Sequence, residues 1–153
     1  MKLIPISEHP DAARILYQLM EERPDYANIS HKAMPTWDEH LTFIGQKPGS
    51  WGSGRAHPYQ VWHLVEEWCC LENSCEHIIV GSVYLSHANE IGVSIFRKYQ
   101  GGGLGSRAVK LLMKEHGDRR YLANVAPTNE PSRKMFEKLG FKLVQHTLAL
   151  EAE

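Results

Sequence analysis

Residues Gln100-Gly101-Gly102-Gly103-Leu104-Gly105-Ser106 carry the sharpest chemical signal in the chain. Glycines at this density let the backbone turn tightly and point successive N–H groups into one concavity, at the positive end of the helix that follows. Such a nest suits a phosphate. The alternative is a strand-to-helix turn with no ligand, which would be wasteful in conformational entropy. A P-loop is disfavoured because no Lys follows the last glycine. Gly103-x-Gly105-x-x-Ala108 satisfies the loose dinucleotide pattern. That pattern also wants an acidic residue about 20 positions later on a second strand, and Tyr121 to Ala126 contains none.

Other candidates are single side chains. Glu90 leads into the strand before the glycine loop, and alternation puts Glu90, Gly92 and Ser94 on one face, opposite Ile91, Val93 and Ile95. A carboxylate there is either a base or an exposed strand-end charge. Tyr84, Ser86 and His87 lie close to it in sequence. His31 and His40 are further candidates for a base or an acceptor ligand. Cys69, Cys70, Cys75 and His77 are crowded and lack the spaced pairs of a structural zinc site, so free thiols and no metal are expected.

The elements that must position these residues follow from periodicity. Leu3 to Ile6 reads as a strand, and Ala12, Ile15, Leu16, Leu19 and Met20 make one helical stripe that ends before Pro24. Arg23 to Tyr59 is rich in Pro, Gly, Ser and His, with a short helix around Trp37 to Ile44, and suits a binding loop. Three strands follow in quick succession, Gln60 to Trp68, His77 to Ser86 and Asn89 to Phe96, which implies antiparallel pairing. Then come a helix (Gly103 to His116), a strand (Tyr121 to Ala126), a helix (Glu130 to Leu139) and a strand (Phe141 to Leu150). An antiparallel meander followed by strand-helix units gives a mixed α/β sheet with helices on both sides.

Composition sets the outer bounds. The 153 residues are one domain's worth of chain, and 42% hydrophobic with 23% charged residues is ordinary for a globular protein. Seventeen Lys plus Arg against 18 Asp plus Glu leaves a net charge of −1, so no global field draws the protein to nucleic acid or anionic lipid. No apolar run reaches membrane-span length and the start lacks a signal-peptide core, so a soluble cytoplasmic protein is expected.

Gln100-x-x-Gly103-x-Gly105 after a strand, with Asn129 opening a later helix and Leu139-Gly140-Phe141 closing it, resembles the GNAT superfamily of acyl-CoA-dependent N-acyltransferases. The resemblance covers Ile78 to Phe141 and, weakly, the first helix. It implies a single GNAT-like domain over residues 1–153, with a splayed central strand pair, and acetyl-CoA as the acyl donor. The backbone of Val93, Ser94 and Ile95 would hold the pantetheine arm. The loop from Gln100 through Gly101, Gly102, Gly103, Leu104, Gly105 and Ser106 would take the pyrophosphate. Asn129 stands where the family has a cofactor contact, and a plain helix N-cap explains it equally well.

Attack on a thioester needs a neutral amine, since an ammonium with a pKa of about 10 has no lone pair. Glu90 is the residue best placed to take that proton, and the resemblance puts a backbone N–H near Val93 to Ser94 on the acyl oxygen. Two positions depart from the family members that acetylate protein N-termini. Asn124 replaces a Glu and Phe136 replaces a Tyr general acid, so Phe136 reads as core.

The expected function is transfer of an acetyl group to a primary amine, of a small molecule first, by direct attack in a ternary complex. Protein N-terminal or lysine amines come second, and a CoA-binding regulator without catalysis is a third reading. Trp37, Trp51, Trp62 and Trp68 with Tyr26 and Tyr59 either line an acceptor pocket or belong to the core, and Glu66, Glu67 and Glu72 either attract a cationic amine or form a solvated hairpin face. The family's usual final hairpin is cut to one strand here. A homodimer that covers Leu143, Leu148 and Leu150 is therefore expected, and a monomer mass by light scattering would refute it.

Overall fold

The computed structural model describes residues 1–27, 33–45, 59–71 and 74–148, without the side chains of residues 70, 71 and 74. His31, Trp51, Glu72 and Leu150, and much of the irregular segment ending at Tyr59, lie outside the described residues. Four strands pair in chain order and antiparallel: β1 (Lys2–Pro5), β2 (Tyr59–Leu71), β3 (Ser74–Ser86) and β4 (Ile91–Ile95). The helices are α1 (Ala12–Glu21), α2 (Trp37–Gly45), α3 (Leu104–His116) and α4 (Glu130–Lys138). β2 and β3 form a long hairpin whose register pairs Trp62 with Tyr84 and Val65 with Gly81, with a shift between Val65 and Glu66.

The sheet carries a helix layer on each face. On one side Leu3, Val65, Val80, Val83, Leu85 and Ile91 pack with Ala108, Val109 and Leu112 of α3 and Phe136 of α4. On the other, Ala12, Leu16 and Leu19 of α1 pack on Leu64, joined by Ile44 and Trp62. Fully buried leucines such as Leu16, Leu64, Leu85 and Leu112 each contribute about 1.5–3 kcal/mol by leaving water. Phe136 is a core residue, edge-to-face with Phe141 at 5.1 Å, as its helical stripe predicts.

α2 begins with a reciprocal cap. The Glu39 carboxylate accepts from the Thr36 N–H at 2.7 Å, and Thr36 Oγ1 accepts from the Glu39 N–H at 3.3 Å. His40, from the same helix, is buried and donates from Nε2 to the Ala13 carbonyl at 2.7 Å, locking α2 onto α1. A satisfied interior imidazole of this kind joins two helices, so the reading of His40 as a base or acceptor ligand is withdrawn.

Two expected strands do not form. Tyr121 to Ala126 contributes a single parallel bridge, Leu122 with Glu90, and no further ladder. Residues 141–148 make no ladder and are almost all exposed, Leu143 at 77% and Leu148 at 93%. Apolar alternation marks both segments as extended chain, but pairing needs a partner edge in register, and only Leu122 meets one.

At the far end of the β2–β3 hairpin the expectation of free thiols holds for Cys69 and fails for Cys75, which is disulfide-bonded. Trp68 is exposed there and meets His77 edge-on, so it is not a core residue. Glu66 pairs with His77, and Glu67 with the N-terminal amine and Arg107.

Candidate active site

β4 has one paired edge and one nearly open edge. The Ser86 N–H donates to the Glu90 carbonyl at 2.9 Å, and the Phe96 N–H to the Val80 carbonyl at 3.0 Å, so even-numbered residues face β3. The Ile91 N–H donates the other way, to Leu122 at 2.8 Å. Alternation then turns the backbone groups of Val93 and Ile95 to the open edge, and those of Ser94 toward Ser82. The parallel contact is limited to Leu122, and residues 123–126 add no further ladder to β4.

The open edge runs into the glycine loop. Gln100 donates from Nε2 to the Ile95 carbonyl at 2.8 Å, which ties the loop to the strand end. Gly101 and Gly103 have φ of +86° and +75°, in the left-handed region where a side chain costs energy. No atom lies within 4 Å of where a Cβ would stand on Gly101, Gly102 or Gly103, so that side of the loop opens to solvent. Gly103 is the N-cap of α3, with no side-chain cap and no acidic residue in the first turn. Leu104, Gly105 and Ser106 therefore present first-turn N–H groups at the positive end of a 13-residue helix. Gly105 is glycine for another reason: a Cβ there would press to 3.1 Å from Met135 Sδ.

At the opposite end of β4 stands Glu90. The turn after β3 holds it, with Asn89 at φ +61° reversing the chain and Ser86 Oγ accepting from the N–H groups of Ala88 (3.2 Å) and Glu90 (3.0 Å). Ser86 Oγ donates to Glu90 Oε2 at 3.3 Å, and Asn124 Nδ2 donates to Glu90 Oε1 at 2.8 Å. Each carboxylate oxygen thus has one donor and retains a lone pair for another. Four rings form one cluster, Phe43 of α2, Tyr59 and Trp62 of β2 and Tyr84 of β3, and the charge of Glu90 acts on two of them, Tyr59 and Tyr84. Tyr59 and Tyr84 are nearest, at 4.2 Å between centroids. Burial pushes the Tyr59 hydroxyl up to about 12, with Tyr84 adding to the shift. Tyr84 is raised chiefly by burial as well, with Arg23 pulling against it.

Asn129 caps α4, its Oδ1 accepting from the Ser132 N–H at 3.3 Å. It lies on the same side of the chain as the glycine loop only in the sense that α4 packs on α3 beside it.

The match to known families decides which family this fold belongs to. Residues 1–142 fit the family model described as an acetyltransferase (GNAT) domain. The chain belongs to the GNAT acetyltransferase family. Among curated proteins none matches it. Solved GNAT structures resemble it at low identity and so support the fold. An N-acetyltransferase from Staphylococcus aureus Mu50 has a TM-score of 0.59 at 17% identity, over 92% of this chain and 81% of that one. The yncA protein of Salmonella typhimurium, solved with its cofactor acetyl-CoA, gives 0.57 at 14%, over 92% and 77%. A spermidine N-acetyltransferase chimera from Vibrio cholerae and hSSAT gives 0.58 at 16%, over 95% and 84%.

Within this GNAT fold the sequence motif brings Val93, Ile95, Gln100 and the loop glycines together along one edge, while Glu90 lies at the far end of the same strand. Sequence reasoning missed the partner of Glu90. Asn124 appeared only as a departure from a family position, yet it donates to the carboxylate. It also missed Phe43 in the aromatic group, whose spacing from Tyr59 gives no local pattern. Among the described residues no cluster of three or more His, Cys, Asp or Glu could hold a metal, and no helix is long and apolar enough to cross a membrane.

Proposed function

We propose that this protein is an acetyl-CoA-dependent N-acetyltransferase acting on the primary amine of a small molecule. The observation that carries the reading is the open edge of β4, whose Val93 and Ile95 backbone groups lead into an uncapped, glycine-built helix N-terminus. An extended amide-bearing arm ending in a diphosphate fits those features in that order. Acetyl-CoA, when bound, supplies the thioester. Val93 and Ile95 hold its arm, the N–H groups of residues 101–106 neutralise its diphosphate, and Gln100 keeps loop and strand in register. The N–H of Val93 stabilises negative charge on the acyl oxygen.

Glu90 takes the proton from the attacking amine. Its two donors, Ser86 and Asn124, fix the orientation of the carboxylate that receives the proton. The amine approaches from the aromatic side, past Tyr59, Trp62 and Tyr84. A small-molecule acceptor is supported by the spermidine enzyme among the similar structures and by Asn124 and Phe136 at the positions that N-terminal acetyltransferases fill with Glu and Tyr.

Thiol release from acetyl-CoA against a panel of amines tests the reading. Amine-dependent release is expected, and Glu90→Gln should lower kcat about 10²-fold while acetyl-CoA still binds. Acetyl-CoA binding with no amine-dependent release would make the protein a CoA-binding regulator instead.

A further inference from the structure

One phenol on the acceptor side of the sheet is placed more tightly than packing alone requires. Tyr84 of β3 stands directly across from Gly92 of β4. A Cβ on Gly92 would overlap Cζ, Cε1 and Oη of Tyr84, so the ring crosses the strand over this residue and only glycine permits it. Gly92 lies between Glu90, two residues back on the same face, and Val93, whose backbone turns to the open edge. The Tyr84 hydroxyl is therefore held over the middle of the proposed acyl site. Its ring is fixed by Tyr59 at 4.2 Å and by Trp62, edge-on at 6.2 Å. Phe136 of α4 is a buried core ring and offers no hydroxyl from the other side.

We infer that Tyr84 is a catalytic residue, its hydroxyl donating a hydrogen bond to the sulfur as the carbon–sulfur bond of the thioester breaks. The inference rests on the acetyl-transfer reading above. The amine nitrogen forms the new carbon–nitrogen bond and its proton passes to Glu90. The electron pair of the broken bond stays on sulfur. A thiol titrates near about 8.5 and a phenol near about 10, so the proton remains on Tyr84 and the sulfur leaves as a hydrogen-bonded thiolate. Burial, which raises the phenol further, keeps it the neutral donor this requires, with Tyr59, Glu90 and Arg23 as the titratable groups facing it.

Tyr84→Phe removes the hydroxyl and keeps the ring. With acetyl-CoA and an accepted amine, kcat should fall about 10²-fold while the Kd for acetyl-CoA stays within about twofold. Because the phenol is neutral throughout, the loss should be the same at about pH 6.5 and about pH 9. Gly92→Ala provides a second route, since it keeps the hydroxyl and pushes the ring off the strand. It should give a similar loss of kcat with acetyl-CoA still bound. Turnover by Tyr84→Phe within about threefold of wild type would overturn the inference and leave the transferase reading standing. A loss that appears equally in acetyl-CoA binding would overturn it too, by making the residue a packing element. A wild-type protein that binds acetyl-CoA and acetylates no amine would sink both.

Discussion

Against α3 and α4 the sheet presents Leu3, Val65, Val80, Val83, Leu85 and Ile91, almost wholly aliphatic. Toward α1 and α2 the aliphatic patch shrinks to Leu64 with Ala12, Leu16 and Leu19, and Phe43, Tyr59, Trp62 and Tyr84 take over beside Glu90. The first face has few polar atoms to satisfy, so it can interlock at crystal-like density and hold β4 rigid from behind. The second must hold a carboxylate and two phenols close to water, and it does so with rings that combine apolar bodies and polar tips. A strand that offers its backbone to a ligand needs one face for support and the other for chemistry. Here the division of residue types follows that need.

The sharpest way to break the comparison is to weaken the supporting face. Leu112 is fully buried in α3 among Val109, Ala108 and the sheet. Leu112→Ala should destabilise the protein by about 2–5 kcal/mol, from lost burial plus the cavity left behind. Urea denaturation measures it, and a loss under about 1 kcal/mol would mean that this face is loosely packed and cannot be the rigid backing.

A smaller effect separates ligand binding from support. Gly102 has ordinary φ and open space where a Cβ would stand, so Gly102→Asp adds a carboxylate beside the loop amides without strain or overlap. The affinity for acetyl-CoA should drop about tenfold by charge repulsion, or about 1.4 kcal/mol, with folding stability unchanged and Gly102→Ala near wild type. Calorimetric titration reads the difference. Equal affinities for both variants would remove the loop from the binding site.

The two halves of the site also differ in how much of each the sequence discloses. The cofactor half is made of backbone, and backbone geometry is written locally: glycines at 101–103 and 105, a helix stripe after them and Gln100 before. The stripes of α1, α3 and α4 and the core place of Phe136 were legible for the same reason. The chemical half is made of side chains that meet only in the fold. Asn124 reaches Glu90 across 34 residues, and Tyr84 meets Tyr59 across a hairpin of which only the register, shifted between Tyr59 and Val61, decides the contact. The strand expected at Tyr121 to Ala126 failed on the same ground. Its alternation was readable, but whether it pairs beyond Leu122 depends on the neighbouring edge.

The smallest effect tests whether the supporting face is as apolar as it looks. His63 of β2 shares that face with Val61 and Val65, and its Nδ1 is buried without a hydrogen-bond partner among the described residues. Burial holds its pKa below the usual value of about 6.5, with Glu115 and Glu8 pulling it back up and His116 pushing it down. In the unfolded chain the imidazole takes up a proton as pH falls through about 6.5, whereas the folded chain resists until lower pH. The unfolded state then binds more protons, so stability declines on acidification through that window and levels off below the folded pKa. The melting temperature of the wild type should fall between about pH 7 and pH 5.5 more steeply than that of His63→Gln, which carries no titrating ring. Parallel slopes for the two proteins would show that the charged imidazole finds solvent or a carboxylate on this face, and the contrast between an apolar support and a polar site would have to be redrawn around β2.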